Sequence, residues 1–319
     1  MKPKVIVYNR IPEDLMEKLS SFCDTYQCSP ESKEFFHHLP SAKGMIGSGY
    51  NIDKKLLDKA PELKIVSNVS VGYNNLNIEE LTKRGIMATN TPDVLTETTA
   101  DTIFGLLLAT ARRMPELDRY VKAGKWEASI TEELFGNDVH HKTLGMIGMG
   151  RIGAAVAERA HFGFKMNILY HNRTRKPSME NRLDASYVSL DHLLQNSDFV
   201  CVMVPLTPET ANLIGEREFK LMKKSAIFIN GSRGKVVKEE DLIKALGDKE
   251  ILAAGLDVYR EEPIDTESPL LRMDHCVTLP HIGSATAETR YKMAELAVEN
   301  LIQGLQGNKP PSLINDVIV

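Results

Sequence analysis

Residues 143–163 read TLGMIGMGRIGAAVAERAHFG. The opening TLGMIG is an apolar run with the length of a buried strand, while RIGAAVAERAHFG places Ile152, Val156 and Ala160 four apart, on one face of a helix. Gly163 stands where such a helix takes its C′ stop. Between strand and helix lie Gly148, Gly150 and Gly153 in GxGxxG spacing. Gly148 permits the tight turn, Gly150 lets an anion approach the backbone, and Gly153 lets helix and strand pack closely, with the first N–H groups of the helix facing the anion. In that context the motif predicts a pyrophosphate-binding βα unit.

The chain on either side repeats the alternation. Five further apolar runs, 165–171, 198–204, 226–230, 251–258 and 276–280, join 143–148 as six near-continuous strands, the pattern of a parallel sheet covered on both faces. Upstream, runs at 5–8, 45–48, 64–70 and 86–89 alternate with charged periodic segments as a second βα series. A break at Asn90-Thr91-Pro92 precedes a helix expected over 96–114, which can carry the chain between the two series. Residues 115–142, with Trp126, Gly124, Gly136 and the pair His140-His141, show no clean period and predict an irregular arm. Helical periodicity returns over 289–306, and a Pro-marked tail follows. The expected class is α/β, with parallel sheets in two domains.

Composition agrees with that class. A length of 319 residues fits two domains. With 42% apolar and 26% charged residues the chain is neither disordered nor a disulfide scaffold. Thirty-nine basic against 43 acidic side chains, a net charge of −4, exclude a general polyanion binder, so no nucleic-acid partner is expected and any anionic ligand must be met by local positive groups. Cys23, Cys28, Cys201 and Cys276 show no CxxC spacing and read as free thiols in a reducing compartment. The N-terminal stretch turns polar within ten residues and the longest apolar run, 103–109, is far below a span, so a cytoplasmic protein with no membrane association is expected. The pairs His37-His38 and His140-His141 lack a carboxylate or cysteine cluster at ligand spacing, so no metal is expected.

In a site for NAD, the second strand of such a unit ends in an acid that binds the ribose hydroxyls. Here it ends HNRTRK, 171–176, with no acid between Met166 and Met179. Arg173 can clamp a 2′-phosphate and the Asn172 and Thr174 side chains can hydrogen-bond it, which predicts a preference for NADPH, with NADH possible. Reacting groups belong beyond the carboxyl ends of the later strands. There stand Arg233 in NGSRG, the DVYREEP stretch of 257–263, and His281 in PHIGS. Of nine histidines only His171 and His281 follow a strand of this sheet at its C-terminal end, and His171 adjoins the adenosine turn, leaving His281 as the acid–base group. Arg233 can grip an α-keto carboxylate and polarise the keto oxygen, and His281 can give that oxygen its proton. A carboxylate partner, Glu261 or Glu262, would orient the ring and favour its charged form.

These residues resemble the D-isomer-specific 2-hydroxyacid dehydrogenase family across essentially the whole chain: GxGxxG at 148–153, then Arg233, Glu262 and His281 in that order. HNRTRK, FVCVMVPLTPET, SAIFINGSRG and LPHIGSATAETRYKMAE are most similar to its glyoxylate/hydroxypyruvate reductase B and 2-ketogluconate reductase branch. The resemblance implies NAD(P)H-dependent reduction of small anionic 2-keto acids (glyoxylate, hydroxypyruvate, 2-ketogluconate) to D-2-hydroxy acids. It implies that Glu262 partners His281, and that backbone amides at Val71 and Gly72 help Arg233 hold the carboxylate. It carries cofactor contacts onto Thr99, Arg151, Ile152, Asn172, Arg173, Thr174, Val204, Pro205, Gly231, Ser232, Asp257, Gly283 and Ser284. Family members usually have aspartates where Asn74 and Asn77 stand. Two Rossmann-like domains are implied, a flavodoxin-like, discontinuous substrate domain of 1–98 and 288–319 and a dinucleotide-binding domain of 99–287, with a cleft between them and a homodimer contacting through the arm at about 115–142.

Two other readings compete. An NAD-dependent D-hydroxyacid or phosphoglycerate dehydrogenase is disfavoured by the Arg-rich turn and by a chain that ends directly after its final helix and tail. A non-catalytic NAD(H)-sensing regulator is disfavoured by the lack of long basic or disordered extensions.

Overall fold

A computed structural model describes residues 2–317. The chain forms two compact units, one comprising the described residues up to Leu95 and from Ala285 onward, the other Thr96–Ser284. In the first unit, β1 (Lys4–Val7), β2 (Asp24–Gln27), β3 (Gly44–Gly47), β4 (Ile65–Asn68) and β5 (Met87–Thr89) form a parallel sheet in the order β2-β1-β3-β4-β5. One face is covered by Phe35, Leu39, Leu57 and Leu81, the other by Leu15 and Leu19 with Ala294, Val298 and Leu301 of the helix Ala287–Leu305. That last helix explains why the unit is discontinuous. Ser67 Oγ donates to the Ala297 carbonyl at 2.7 Å, Asn300 holds the Asn90 carbonyl, and Asn315 receives the Ala88 N–H at 2.8 Å, so the returning chain is stitched to β4 and β5 by buried polar groups.

The second unit is also a doubly covered parallel sheet. Its strands are β6 (Thr143–Ile147), β7 (Asn167–His171), β8 (Ser186–Tyr187), β9 (Phe199–Val202), β10 (Ile227–Asn230), β11 (Ala253–Leu256) and β12 (Cys276–Thr278), ordered β12-β11-β10-β9-β6-β7-β8. Strand order reverses direction at β6, which puts the glycine turn at a topological switch point. β10, β11 and β12 are neighbours in register, Ile229 opposite Gly255 and Gly255 opposite Val277, so the loops leaving them emerge side by side.

Four local expectations are corrected. The edge strands β2 and β8 carry no apolar run: DTYQ and SY are partly or wholly exposed, so burial could not mark them, and the second sheet has seven strands, one more than expected. The helix expected over 96–114 ends at Ala111. Arg113 is left-handed (φ 55°), and a second helix, Met114–Lys122, occupies the start of the expected irregular arm. None of its residues is buried; Pro115 in its first turn and the Arg113–Glu116 ion pair at 2.6 Å set its start, and Met114, Leu117 and Val121 recur along it at helical spacing. Finally, Gly163 is not the stop of its helix. The winding passes from Arg151–Glu158 into a wide π turn, Arg159–Gly163, and the left-handed residue is Lys165 (φ 54°). Phe164 packs on the Phe104 ring at 4.9 Å, which draws the end of the winding past the glycine.

All four cysteines are buried and free. Among the described residues no helix is long and apolar enough to cross a membrane, and no group of His, Cys, Asp and Glu is placed to hold a metal ion.

The core of the second unit gives a stability test. Phe228 is fully buried edge-to-face on Phe219 at 5.3 Å. Phe228→Ala should lower the unfolding free energy of this unit by about 3–5 kcal/mol, read as a lower denaturant midpoint at unchanged slope. A loss below about 1 kcal/mol would contradict the packing described.

Candidate active site

The glycine turn is sterically required. Gly148 has φ +103°, and a Cβ there would lie 2.7 Å from the Met203 carbonyl group; a Cβ on Gly153 would lie 2.1 Å from the Gly148 carbonyl oxygen. Gly150 has no atom within 4 Å on its Cβ side and caps the helix without a side chain, leaving open space before the first N–H groups of that helix. These features fit a dinucleotide pyrophosphate. Arg151 and Ile152 open the same helix, and Val204 and Pro205 follow β9 beside Gly148.

The HNRTRK turn is anchored at both ends. Asn172 Oδ1 accepts the Met149 N–H at 2.7 Å, and the Asn172 carbonyl accepts the Tyr187 hydroxyl at 3.0 Å. At the far end Arg175 grips Glu180 through Nε (2.7 Å) and Nη2 (2.6 Å), while Glu180 also accepts the Tyr170 hydroxyl at 2.6 Å. The Arg175 and Tyr170 hydrogen bonds hold the Glu180 carboxyl down at about 2. Arg173 and Thr174, between the anchors, are exposed, so Arg173 and the Asn172 amide nitrogen remain for an anion while Arg175 is committed.

Beyond β10, β11 and β12 the structure brings Arg233, Glu262 and His281 into one group of loops. His281 Nδ1 lies 2.6 Å from Glu262 Oε2, and Glu262 Oε1 accepts the Tyr259 N–H at 3.1 Å. The choice between Glu261 and Glu262 is thereby resolved in favour of Glu262. Burial pushes its carboxyl up, but the His281 and Tyr259 hydrogen bonds and the charges of His281 and Arg233 outweigh it and hold the group below the usual range. Burial lowers the Arg233 pKa, opposed by the Glu262 charge, and Arg233 Nη1 donates to the Ser232 carbonyl at 2.7 Å. A cavity of about 480 Å³ adjoins the pair, walled by Tyr259, Ile264, Leu271 and Leu279.

His281 sits at φ +53°, a left-handed conformation that costs a non-glycine residue about 1 kcal/mol or more. The loop after it is pinned by Asp257, whose two oxygens accept the Ile282 and Gly283 N–H groups at 2.7 and 2.9 Å. Asp257 is buried, and burial raises its pKa despite those bonds. Thr99 is buried beside Gly283, whose added Cβ would lie 3.1 Å from Thr99 Cγ2; Ser284 follows, half-buried. Gly231 packs on Ile103, and Ser232 is buried with its hydroxyl on Asn230. Asp257 and Ser232 thus have internal partners besides any cofactor.

Val71 and Gly72 belong to the other unit. Their carbonyls accept Asn90 Nδ2 (2.9 Å) and Asn68 Nδ2 (2.8 Å), and among the described residues their N–H groups make no hydrogen bond. Asn77 caps the helix Ile78–Lys83 through the Glu80 N–H, a task an aspartate would perform equally well. Sequence reasoning missed three supporting residues, Asn230, Tyr259 and Glu180. Only Asn230 carried a signal, an amide closing the apolar run AIFIN.

Residues 104–283 match the model of the D-isomer specific 2-hydroxyacid dehydrogenase NAD binding domain. The glyoxylate/hydroxypyruvate reductase B of Escherichia fergusonii is 51% identical over 319 residues, covering 99% of this chain and 98% of that protein. Among solved structures, an NADPH-dependent glyoxylate/hydroxypyruvate reductase of Sinorhizobium meliloti with NADP and malonate superimposes with a TM-score of 0.90 at 31% identity, covering 100% and 98% of the two chains. A protein of Thermus thermophilus superimposes at 0.88 with 40% identity over 98% and 99%. By sequence along its whole length, by the matched domain and by fold, the chain belongs to the D-isomer specific 2-hydroxyacid dehydrogenase family.

Proposed function

We propose that this protein reduces small 2-keto acids, glyoxylate and hydroxypyruvate foremost and 2-ketogluconate among them, to D-2-hydroxy acids, with NADPH as preferred reductant and NADH usable. The observation that carries the reading is the 2.6 Å hydrogen bond between His281 Nδ1 and Glu262, which leaves Nε2 as the nitrogen for proton donation, with Arg233 close enough for its charge to act on the same Glu262. The names of the reductase B relatives and of the Sinorhizobium enzyme support the substrate class and the cofactor.

Arg233 receives the substrate carboxylate through its planar fork and turns positive potential toward the keto oxygen. Reduced nicotinamide, when bound through the glycine turn, the HNRT side chains and the Thr99, Val204, Pro205 and Gly231–Ser232 positions, supplies the hydride. His281 Nε2 delivers the proton that makes the keto oxygen a hydroxyl. Glu262 fixes the ring plane and faces the charged ring with an opposite charge. The apolar wall of Tyr259, Ile264, Leu271 and Leu279 borders the cavity beside that pair, which itself stays partly open to solvent.

Preference for NADPH rests on Arg173, exposed at the end of β7 where an acid would repel the 2′-phosphate, and on Glu180, the nearest acid of the next helix, being neutralised by Arg175. In this reading Thr96–Ser284 is the cofactor domain and the other unit the substrate domain. The arm exposes Met114, Val121, Trp126, Ile130 and Phe135, a surface suited to homodimer formation. Four buried free thiols suit a cytoplasmic protein.

His281→Asn should cut kcat for glyoxylate reduction about 10²- to 10⁴-fold with NADPH binding intact; full activity would refute the role. Arg233→Lys should reduce kcat/KM at least about 10-fold, because one ammonium cannot replace the fork, and unchanged efficiency would remove it from the site. The native enzyme should be more efficient with NADPH than NADH, and Arg173→Ala should lower NADPH efficiency about 10- to 100-fold while sparing NADH. Equal losses with both coenzymes would contradict the phosphate contact.

A further inference from the structure

We infer that Asn230 is the positioning residue that aims Arg233, through a carboxamide bridging the backbone on both sides of the arginine. Asn230 ends β10 and is 1% exposed. Its Oδ1 accepts both the N–H and the hydroxyl of Ser232, at 3.1 and 3.0 Å, while its Nδ2 donates to the Arg233 carbonyl at 3.2 Å. One planar amide thus closes the Ser232–Arg233 segment into a ring and holds Arg233 extended, at φ −144° and ψ 141°. The chain has no slack beyond it, since a Cβ on Gly234 would lie 1.8 Å from the Tyr259 carbonyl carbon.

Side-chain chemistry singles out this residue. The bridge needs an acceptor for two donors and a donor for a carbonyl, at one fixed separation. Aspartate lacks the donor, serine and threonine lack the span, and an apolar residue would leave the Arg233 carbonyl without this donor. The main-chain carbonyl of Asn230 also accepts the Asp257 N–H at 3.0 Å, and Asp257 in turn pins Ile282 and Gly283 beside His281. The arginine that orients the substrate and the histidine that protonates it are therefore referenced to the same strand end. A misplacement of about 1 Å in such a pair can cost about 100-fold in rate.

The inference rests on the reading of Arg233 as the carboxylate anchor, and a double-mutant cycle separates the two. The probes are glyoxylate turnover with NADPH and the binding of oxamate, a non-reducible keto-acid analogue, to the NADPH-loaded enzyme. Asn230→Ala should raise the KM for glyoxylate and the Kd for oxamate about 10-fold or more, with a smaller fall in kcat. In an Arg233→Lys background the same substitution should cost less than about threefold, because the group it aims is already gone. A cooperatively folded Asn230→Ala enzyme within about twofold of the native values, or an equal loss in both backgrounds, would overturn the positioning role. If Asn230→Ala is insoluble, Asn230→Asp, which keeps the volume and the Ser232 acceptor but loses the donor, carries the same expectations and refutations. Should Arg233→Lys alone leave KM and oxamate binding unchanged, the anchor reading fails first.

Discussion

The buried carboxylate of Asp257 is the constraint on which the rest of the site depends. Its two oxygens take the Ile282 and Gly283 N–H groups, and between them these bonds force the chain to leave His281 in a left-handed conformation. Without that turn the imidazole would follow the extended course of β12 and leave Glu262. With it, Nδ1 meets Glu262 at 2.6 Å. Backbone strain at His281 and an ionised group in a buried place are both unfavourable in isolation. They persist together because each is the other's compensation: the strained loop presents two N–H groups to the charge, and the charge holds the loop.

Most of the fold could be read from the sequence, because a parallel sheet with both faces covered writes its central strands as apolar runs. β6, β7, β9, β10, β11 and β12 each fall within an expected run, and the run at 143–148 with its glycines located the switch point. The strands that escaped, β2 and β8, lie at sheet edges, where solvent replaces one neighbour and the pattern vanishes. The helix Met114–Lys122 escaped for another reason: Met114, Leu117 and Val121 do recur at helical spacing, but the pattern spans only nine residues and none of them is buried. Burial was legible and boundaries set by single backbone conformations were not, as Arg113 and Lys165 illustrate, since neither is a residue type that announces a positive φ.

The site divided along the same line. Arg233 and His281 could be found because charged residues just past apolar strands are anomalous, and their order along the chain narrowed the chemistry. The choice between Glu261 and Glu262 required either the resemblance or the coordinates, since two adjacent acids differ only in where the loop turns them. The residues that aim the reacting groups were harder still. Asn230 and Tyr259 work through main-chain atoms of their neighbours, and backbone hydrogen bonding leaves almost no trace in a single sequence.

Asp257 and Glu262 also show how one loop cluster sets two carboxyls apart. Burial dominates Asp257 and raises its pKa; at Glu262 the His281 and Tyr259 bonds and two nearby positive charges overcome burial and lower it. The linkage signs are opposite. Glu262 contributes stability that is fully present above the ordinary carboxylate range and fades only as pH falls through its depressed value. Ionising Asp257 instead costs stability, a cost that develops as pH rises from the ordinary carboxylate range through its raised value. On acidification Asp257 therefore takes up its proton over a range raised above that of an ordinary aspartate, and Glu262 over a range lowered below that of an ordinary glutamate. Protonating Asp257 weakens one of the two acceptor oxygens that hold the left-handed turn at His281, so acid acts on the geometry of the site as well as on the charge of the dyad.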